Sequence, residues 1–130
     1  MYENVINLTQ HLPTPDQLVE AQFIELSKAD QDKIKTWLNF LPEEVKMSMI
    51  SARAMLLADL AQKAGAKYAM VGGAPYLMAP LEQELHHRGI HPIYAISERV
   101  SVEENLSTGE VIKRNVFKHC GFYDAYELLD

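Results

Sequence analysis

A glycine pair between an apolar run and a helical repeat limits the possible folds of this chain more than any other feature. The run Tyr68–Val71 has the character of a β-strand, and Gly72 and Gly73 follow it directly. Three leucines then recur on one helical face: Leu77, Leu81 and Leu85. Gly89 follows at the position where helices commonly end. The stretch therefore predicts a strand, a tight turn and a helix.

The chain on either side of this stretch continues the alternation of strands and helices. Further strands are predicted at Asn4–Leu8, Gln22–Leu26 and His91–Ile96. Helices are predicted from a cap at Thr14 or Asp16 to about Glu20, over Ala29–Phe40, and from Pro42 to Ala64. The helix after the glycine pair begins near Pro75 or Pro80, because proline fits a first turn but interrupts a helix interior.

Two extended runs near the end of the chain predict a β-hairpin. They are Arg99–Glu104 and Glu110–His119, and the polar loop Asn105–Gly109 joins them. A strand, a helix and a strand in succession normally form a parallel crossover. The predicted fold is therefore a single α/β domain over residues 1–130, with a mostly parallel sheet, flanking helices and a C-terminal β-hairpin.

Composition narrows the classes of function. The chain is 48% hydrophobic and 23% charged, as expected for an ordinary globular domain. Its formal net charge of -6 argues against a broad grip on duplex nucleic acid, which needs a basic surface. The single cysteine, Cys120, excludes an internal disulfide and favours a reducing compartment. With neither a signal-peptide pattern nor an apolar run of spanning length, we expect a cytoplasmic protein with no membrane contact.

Residues suited to binding a phosphate follow three of the predicted strands. Thr9, Gln10 and His11 follow the first strand, Gly72 and Gly73 the central one, and Ser97 and Arg99 the strand at His91–Ile96. The carboxyl ends of neighbouring parallel strands form the usual ligand crevice of an α/β sheet. Hydroxyls, backbone amides and one fixed positive charge in that crevice predict a phosphate-bearing ligand, with Lys113, Arg114 or His119 of the hairpin closing over it.

Each of these features also has a purely structural interpretation. The glycine pair makes a tight turn whether or not it binds an anion. The cations of the hairpin suit a solvated ribbon, and Arg99 suits a surface ion pair with Glu98 or Glu103. The broad apolar stripe of the long helix fits burial within the monomer or a dimer contact.

Metal and acyl-transfer chemistry have little support in the sequence. His86 and His87 are adjacent on a predicted helix and point in different directions, so they do not form the spaced pair of a metal-binding helix. No GxSxG motif is present. We therefore expect no metal site and no cofactor.

Several short segments together resemble the small stand-alone proteins related to CRISPR-associated Rossmann-fold (CARF) domains. They are Ile6–His11, Thr14–Gln17, Gly72–Met78, Ser97–Glu103, Val116–His119 and Gly121–Phe122. Some members of that group bind cyclic oligoadenylate second messengers of antiviral defence, and the ring nucleases among them degrade these messengers. The resemblance implies a Rossmann-like sheet and a homodimer with a ligand pocket on its two-fold axis.

The resemblance to ring nucleases also implies a metal-independent mechanism. The ligand's own 2′-hydroxyl attacks the adjacent phosphorus, while the protein positions the ligand and stabilises the developing charge. The catalytic residues expected are His11, Arg99, Lys113 and His119. The ligand-binding residues expected are Thr9, Gln10, Gly72, Gly73, Ala74, Ser97 and Arg114.

Two other classes of function remain open. A non-catalytic nucleotide-binding sensor needs the same pocket but no proton-transfer residue. An interaction module of phage or mobile-element origin needs only the broad apolar helix and the hairpin as contact surfaces.

Overall fold

The computed structural model describes residues 1–126, and within them an α/β fold. The strands are β1 (Tyr2–Leu8), β2 (Ala21–Phe23), β3 (Tyr68–Val71), β4 (His91–Asn105) and β5 (Val111–Asp124). The helices are α1 (Pro15–Glu20), α2 (Lys28–Leu38), α3 (Met47–Lys63) and α4 (Pro75–His87), with a 3₁₀ turn at Pro42–Glu44. The predicted α/β class is confirmed.

The five described strands form one sheet in the order β2-β1-β3-β4-β5. β1 pairs in parallel with β2 and with β3, and β3 pairs in parallel with β4. β5 runs antiparallel to β4. The mostly parallel sheet and the C-terminal hairpin are therefore both confirmed.

Local sequence signals fix several of the element ends. Thr14 caps α1 through a hydrogen bond from the Gln17 amide to its hydroxyl, and the Gln17 side chain accepts from the Thr14 amide in return. Thr14 is thus the cap, rather than Asp16. α4 begins at Pro75, so Pro80 lies inside the helix, where it supplies no amide for the Tyr76 carbonyl.

The sequence predicted that the long helix begins at Pro42, and this prediction is wrong. Residues 42–44 form a single 3₁₀ turn, and α3 starts at Met47 after an extended Lys46. Within α3, Leu57 is fully buried while Leu56 is 42% exposed. Arg53, a buried arginine of α3, binds Asn39 and Glu44 of the preceding segment, which lies against the helix instead of continuing it.

The strand that begins at His91 was predicted to end at Ile96, but it continues beyond that residue. β4 continues to Asn105, because Ser97–Asn105 stays paired with Val111–His119 along an unbroken antiparallel ladder. Ser97 and Arg99 therefore lie within a strand and not in a loop after it. One extra residue on β5, Cys120, makes a bulge opposite Ile96 and Ser97.

The main hydrophobic core lies between one face of the sheet and helices α2, α3 and α4. The sheet contributes Ile6, Leu8, Ala69 and Val71, and α4 contributes the three leucines predicted for its buried face. Leu77, Leu81 and Leu85 are each 0% exposed. This core holds β1 and β3 in place, and so fixes the relative positions of the loops that follow them.

The opposite face of the sheet is concave. Val5, Ala21, Met70 and Ile93 are buried there, beneath the aromatic rings of neighbouring strands. The ring centroids of Tyr2 on β1 and Phe122 on β5 are 5.4 Å apart, although β3 and β4 lie between those two strands. In a flat sheet the strands would be about 14 Å apart, so the sheet is curled.

The paired segments Ser97–Asn105 and Val111–His119 form a two-stranded ribbon, here called the arm. The last residue of β4 paired with β3 is Ile93, so the arm continues beyond the parallel part of the sheet. Most of its side chains are exposed. The arm therefore projects past the carboxyl ends of β1 and β3.

Candidate functional site

A cleft of about 520 Å³ opens between the carboxyl ends of β1 and β3. The chain leaves β1 toward β2 on one side and leaves β3 toward β4 on the other, so the two connections diverge at this point. Such divergence is where open α/β sheets bind their ligands. We call this the strand-end cleft, and its lining includes Thr9, His11, Phe40, Gly72, Gly73 and Tyr76.

The loop after β1 is held by an asparagine that the sequence analysis missed. The Asn7 amide oxygen accepts hydrogen bonds from the Thr9 amide (3.0 Å) and the Thr9 hydroxyl (2.6 Å). The Asn7 amide nitrogen donates to the His11 carbonyl at 2.7 Å. The Thr9 hydroxyl proton is therefore used within the loop. The exposed His11 side chain is left at the cleft. The sequence did contain a signal for this role, because Asn7 is a polar residue between two apolar neighbours in the strand.

Gly72 and Gly73, in the turn after β3, line the cleft. Gly73 has φ 143°, a conformation that side-chain-bearing residues rarely adopt, whereas Gly72 has ordinary backbone angles. Ala74 is the N-cap of α4 and supplies no side-chain hydrogen bond to the first helical turn. The positive end of the α4 dipole is thus left uncapped beside the cleft.

The third wall of the cleft is the segment that follows α2. Leu38, Asn39 and Phe40 line it, and the Phe40 ring meets the Tyr76 ring edge to face at 5.3 Å between centroids. Aromatic surface on this side gives the cleft an apolar wall opposite the glycine turn. Such a wall suits a planar, weakly polar group.

Arg53 of α3 fixes that wall from behind. Its guanidinium donates to the Asn39 carbonyl and, at 2.6 Å, to a carboxylate oxygen of Glu44. The same guanidinium lies 4.3 Å from the centre of the Phe40 ring. Arg53 is 7% exposed. The charge of Arg53 is therefore neutralised by Glu44, and the guanidinium contacts the wall segment instead of facing the cleft.

The Glu44 carboxylate makes the stability of this segment sensitive to acid. A hydrogen bond from the Leu41 amide, together with Arg53, lowers the Glu44 pKa below its usual 4.5. A lowered pKa in the folded state contributes stability above pH 4.5 that is lost as the pH falls through the folded value. We expect the wild type to lose stability more steeply than Glu44→Gln between about pH 5 and pH 3 in urea titrations. Parallel curves would contradict this linkage.

The structure divides the predicted site residues into two groups. Thr9, Gln10, His11, Gly72, Gly73 and Ala74 all line the strand-end cleft. The other five are carried by the arm and do not line it: Ser97, Arg99, Lys113, Arg114 and His119. No lysine or arginine of the described chain lines this cleft. The predicted residues that follow β1 and β3 therefore lie together at the cleft. Ser97 and Arg99 do not, because β4 continues past the cleft instead of ending at it.

Arg99, Lys113 and Arg114, the predicted site cations of the arm, have different surroundings. The Arg99 guanidinium lies 5.5 Å from the centre of the Phe117 ring. Arg114 forms an exposed ion pair with Glu104, at 3.4 Å between nitrogen and oxygen. Lys113 is exposed, directly opposite Glu103 in the ladder. Arg99 therefore does not form the ion pair with Glu98 or Glu103 that the structural interpretation allowed.

His119 is enclosed beneath the curl of the sheet. Its side chain is 4% exposed, and its Nε2 lies 3.4 Å from a carboxylate oxygen of Glu20 at the end of α1. Among the described residues, neither ring nitrogen has a hydrogen-bond partner. The ring packs against Phe122 at 4.9 Å between centroids. This position does not expose His119 to a ligand in the strand-end cleft.

A second polar cluster, which the sequence analysis also missed, lies at the start of β4. The Nδ1 atom of His91 and a carboxylate oxygen of Asp124 are 2.7 Å apart, and Tyr126 stacks on His91 at 4.2 Å between ring centroids. Because β5 is antiparallel, its last residue lies opposite the beginning of β4. The cluster ties β5 to β4 at the end of the sheet remote from the cleft.

Within residues 1–126, no group of three or more histidine, cysteine, aspartate or glutamate side chains is arranged to hold a metal ion. No helix described here has the length and apolar character needed to cross a membrane.

Comparison with known proteins places the chain in a family without assigning it an activity. No curated protein and no solved structure matches this chain. One family model matches it, from residue 3 to residue 123, which is nearly its whole length. The chain therefore belongs to the uncharacterized protein MJ1673 family.

Proposed function

We propose that this protein binds a cyclic oligoadenylate in the strand-end cleft. The observation that carries the proposal is the position of that cleft, between two parallel strands whose connections diverge. The turn at Gly73 and the positive end of the α4 dipole suit a phosphate. The Phe40 and Tyr76 rings supply an apolar wall for a base.

The proposal includes a Rossmann-like assignment of the sheet, an evolutionary relation to CARF domains and a cytoplasmic homodimer. The strand order supports the first of these, since β1 and β3 are central and parallel with their crossovers leaving on opposite sides. A ligand with two-fold symmetry would meet two copies of the cleft in a homodimer, which is why the dimer belongs to the same proposal.

Metal-independent cleavage of the ligand is the enzymatic form of this proposal. His11 supports it, because its exposed imidazole lies at the cleft beside the glycine turn. In this mechanism the ligand's 2′-hydroxyl loses its proton to His11 and attacks the adjacent phosphorus, which forms a 2′,3′-cyclic phosphate. The bond to the 5′-oxygen breaks, and that oxygen takes a proton from water and leaves as a hydroxyl. Backbone donors of the turn stabilise the charge on the phosphoryl oxygens.

Binding without cleavage is the second candidate function. It is favoured by a specific observation: of the four predicted catalytic residues, only His11 lines the cleft, and Arg99, Lys113 and His119 lie on the arm. A sensor needs the shape and donors of the cleft but no group that moves a proton. The two candidates share a ligand and differ in the fate of its phosphodiester bonds.

Incubation with cyclic tetra-adenylate and cyclic hexa-adenylate in EDTA separates these candidates. Under the enzymatic form we expect linear products on chromatography, formed more slowly by His11→Ala and at the wild-type rate by His87→Ala. His87 is the matched control, because it is an exposed histidine near the C-terminal end of α4 and does not line the cleft. Binding by calorimetry without product would select the sensor. Absence of both binding and cleavage would reject the proposed ligand and leave the interaction module.

A further inference from the structure

The arm has two chemically different sides, which follow from the register of its ladder. Alternate residues of a strand point to the same side, so Arg99 and Ser101 share the side of Ala95, which lines the strand-end cleft. Their partners on β5 are Phe117 and Asn115, and Lys113 comes next. The same side also carries Ser97 and Glu103, and the enclosed His119 opposite Ser97. We call five exposed residues of this side the cleft side of the arm: Arg99, Ser101, Lys113, Asn115 and Phe117.

The reverse side of the arm has balanced charges around an aliphatic centre. Glu98 lies opposite Lys118, and Arg114 is paired with Glu104. Between these pairs, Val100 lies opposite Val116. Arg114 is therefore ion-paired, whereas Lys118 only faces Glu98 across the ladder. On the cleft side, by contrast, neither Arg99 nor Lys113 forms an ion pair with any described residue, although Glu103 faces Lys113 in the ladder.

Phe117 is the most unusual residue of the cleft side. Its side chain is 73% exposed on a strand, where a large aromatic ring is normally buried. The Arg99 guanidinium lies over the ring, 5.5 Å from its centre, and Phe117 remains largely open to solvent. Asn115 and Ser101, with amide and hydroxyl side chains, lie one step along the ladder. An exposed aromatic ring on a β-ribbon, with Arg99 against it and Lys113 farther along the same side, resembles the arrangements that stack bases of single-stranded nucleic acid.

We infer that the cleft side of the arm binds a nucleobase on Phe117 and the adjoining phosphates at Arg99 and Lys113. The inference rests on the proposed function for the other anchor of the ligand, which is the strand-end cleft. Arg99 lies four residues beyond Ala95 along the strand, a distance of about 13 Å. Consecutive phosphates of a nucleic-acid strand are closer together than that. The ligand class is therefore an oligonucleotide that reaches from the cleft to the arm, rather than a mononucleotide.

The test compares ligands of different length on the full chain. Fluorescein-labelled linear hexa-adenylate is titrated by anisotropy, and adenosine monophosphate and cyclic tetra-adenylate by calorimetry. Phe117→Ala is expected to weaken hexa-adenylate binding about tenfold, since stacking on one aromatic ring contributes this much. Adenosine monophosphate, which reaches only the cleft, is expected to bind the variant and the wild type equally. Phe117→Trp restores a stacking surface and is expected to restore affinity.

Tyr123→Ala is the matched control. Tyr123 is a 54% exposed aromatic residue on the same strand, paired with Tyr94 and therefore on the other side of the sheet from Phe117. We expect it to bind hexa-adenylate as the wild type does. Equal affinity of the Phe117→Ala and wild-type proteins would overturn the inference. A change in oligomeric state by sedimentation, without a change in affinity, would overturn it in favour of an interface between copies.

Failure of this inference and failure of the proposed function give different results. If cyclic tetra-adenylate binds and Phe117→Ala has no effect on either oligonucleotide, the cleft proposal stands and the arm proposal fails. If hexa-adenylate binds in a Phe117-dependent way but cyclic tetra-adenylate does not bind, the arm proposal stands and the cyclic ligand is rejected. If neither oligonucleotide binds, both are rejected.

Discussion

Arg53→Ala is expected to lower the free energy of unfolding by about 3 kcal/mol, as for other buried charged residues whose network is broken. The side chain is 9% exposed and bridges two parts of one segment, the Asn39 carbonyl and the Glu44 carboxylate. Truncation leaves that carbonyl without its partner and removes the planar group packed on Phe40. Urea denaturation measures the loss directly.

The same substitution is expected to affect ligand binding as well as stability. Phe40 contacts Tyr76, and both line the strand-end cleft. Without the guanidinium behind it, the Phe40 ring loses the contact that fixes its position. We therefore expect weaker binding of cyclic tetra-adenylate by Arg53→Ala at temperatures where the variant remains folded.

Arg114→Ala is the control for removing an arginine. Arg114 also pairs with a glutamate, Glu104, but its side chain is 61% exposed. An exposed pair contributes about 0.5 kcal/mol, so this variant should unfold almost as the wild type does. Similar losses for Arg53→Ala and Arg114→Ala would show that burial of Arg53 does not determine its contribution.

The difference between these two arginines illustrates what the sequence predicts and what it leaves out. Arg53 lies in a helix among alanines and leucines, and its partners precede it by 9 and 14 residues. Nothing local distinguishes it from a surface arginine. Pairing across that interval depends on how the segment after α2 folds back onto α3. The same contact explains why the sequence also misplaced the start of α3.

Predictions that depended on neighbouring residues were the accurate ones. The buried leucines of α4 follow from helical spacing, and the turn at Gly73 follows from two adjacent glycines after an apolar strand. The length of β4 did not follow, because the continuation of a strand through Ser97 is decided by its partner β5. The surroundings of His119 likewise depend on the curl of the sheet, which brings Glu20 beside it.

Asn7 was within reach of sequence reasoning, although it was overlooked. It is a polar residue between two fully buried apolar neighbours, Ile6 and Leu8. A side chain with both donor and acceptor groups near the end of a central strand is suited to fixing the following loop. The candidate site could therefore be located from the sequence. The hydrogen bonds that fix the loop could not be predicted from the sequence, because Asn7, Thr9 and His11 meet only in the folded loop.

Gly73→Ala is expected to destabilise the protein by about 2 kcal/mol, the cost of holding a residue with a side chain in a sparsely populated backbone region. The φ of Gly73 is 143°, and a methyl group there would meet only the terminal carbon of Met78, at 3.9 Å. Space is therefore available, and the cost comes from the backbone conformation. Relief of that strain would move the turn that supplies donors to the cleft, so we also expect weaker binding of cyclic tetra-adenylate.

Gly72→Ala separates the effect of conformation from the effect of losing a glycine. A methyl group at Gly72 would lie 3.5 Å from the Thr9 methyl carbon, an ordinary contact, and the backbone there is compatible with alanine. Replacing a glycine at such a position changes stability by less than about 1 kcal/mol and often raises it. Urea denaturation of the two variants under one condition makes the comparison. If Gly72→Ala were the more destabilised of the two, Gly73 would not be the strained position. Close packing of Gly72 against the loop after β1 would then explain why the turn contains glycine.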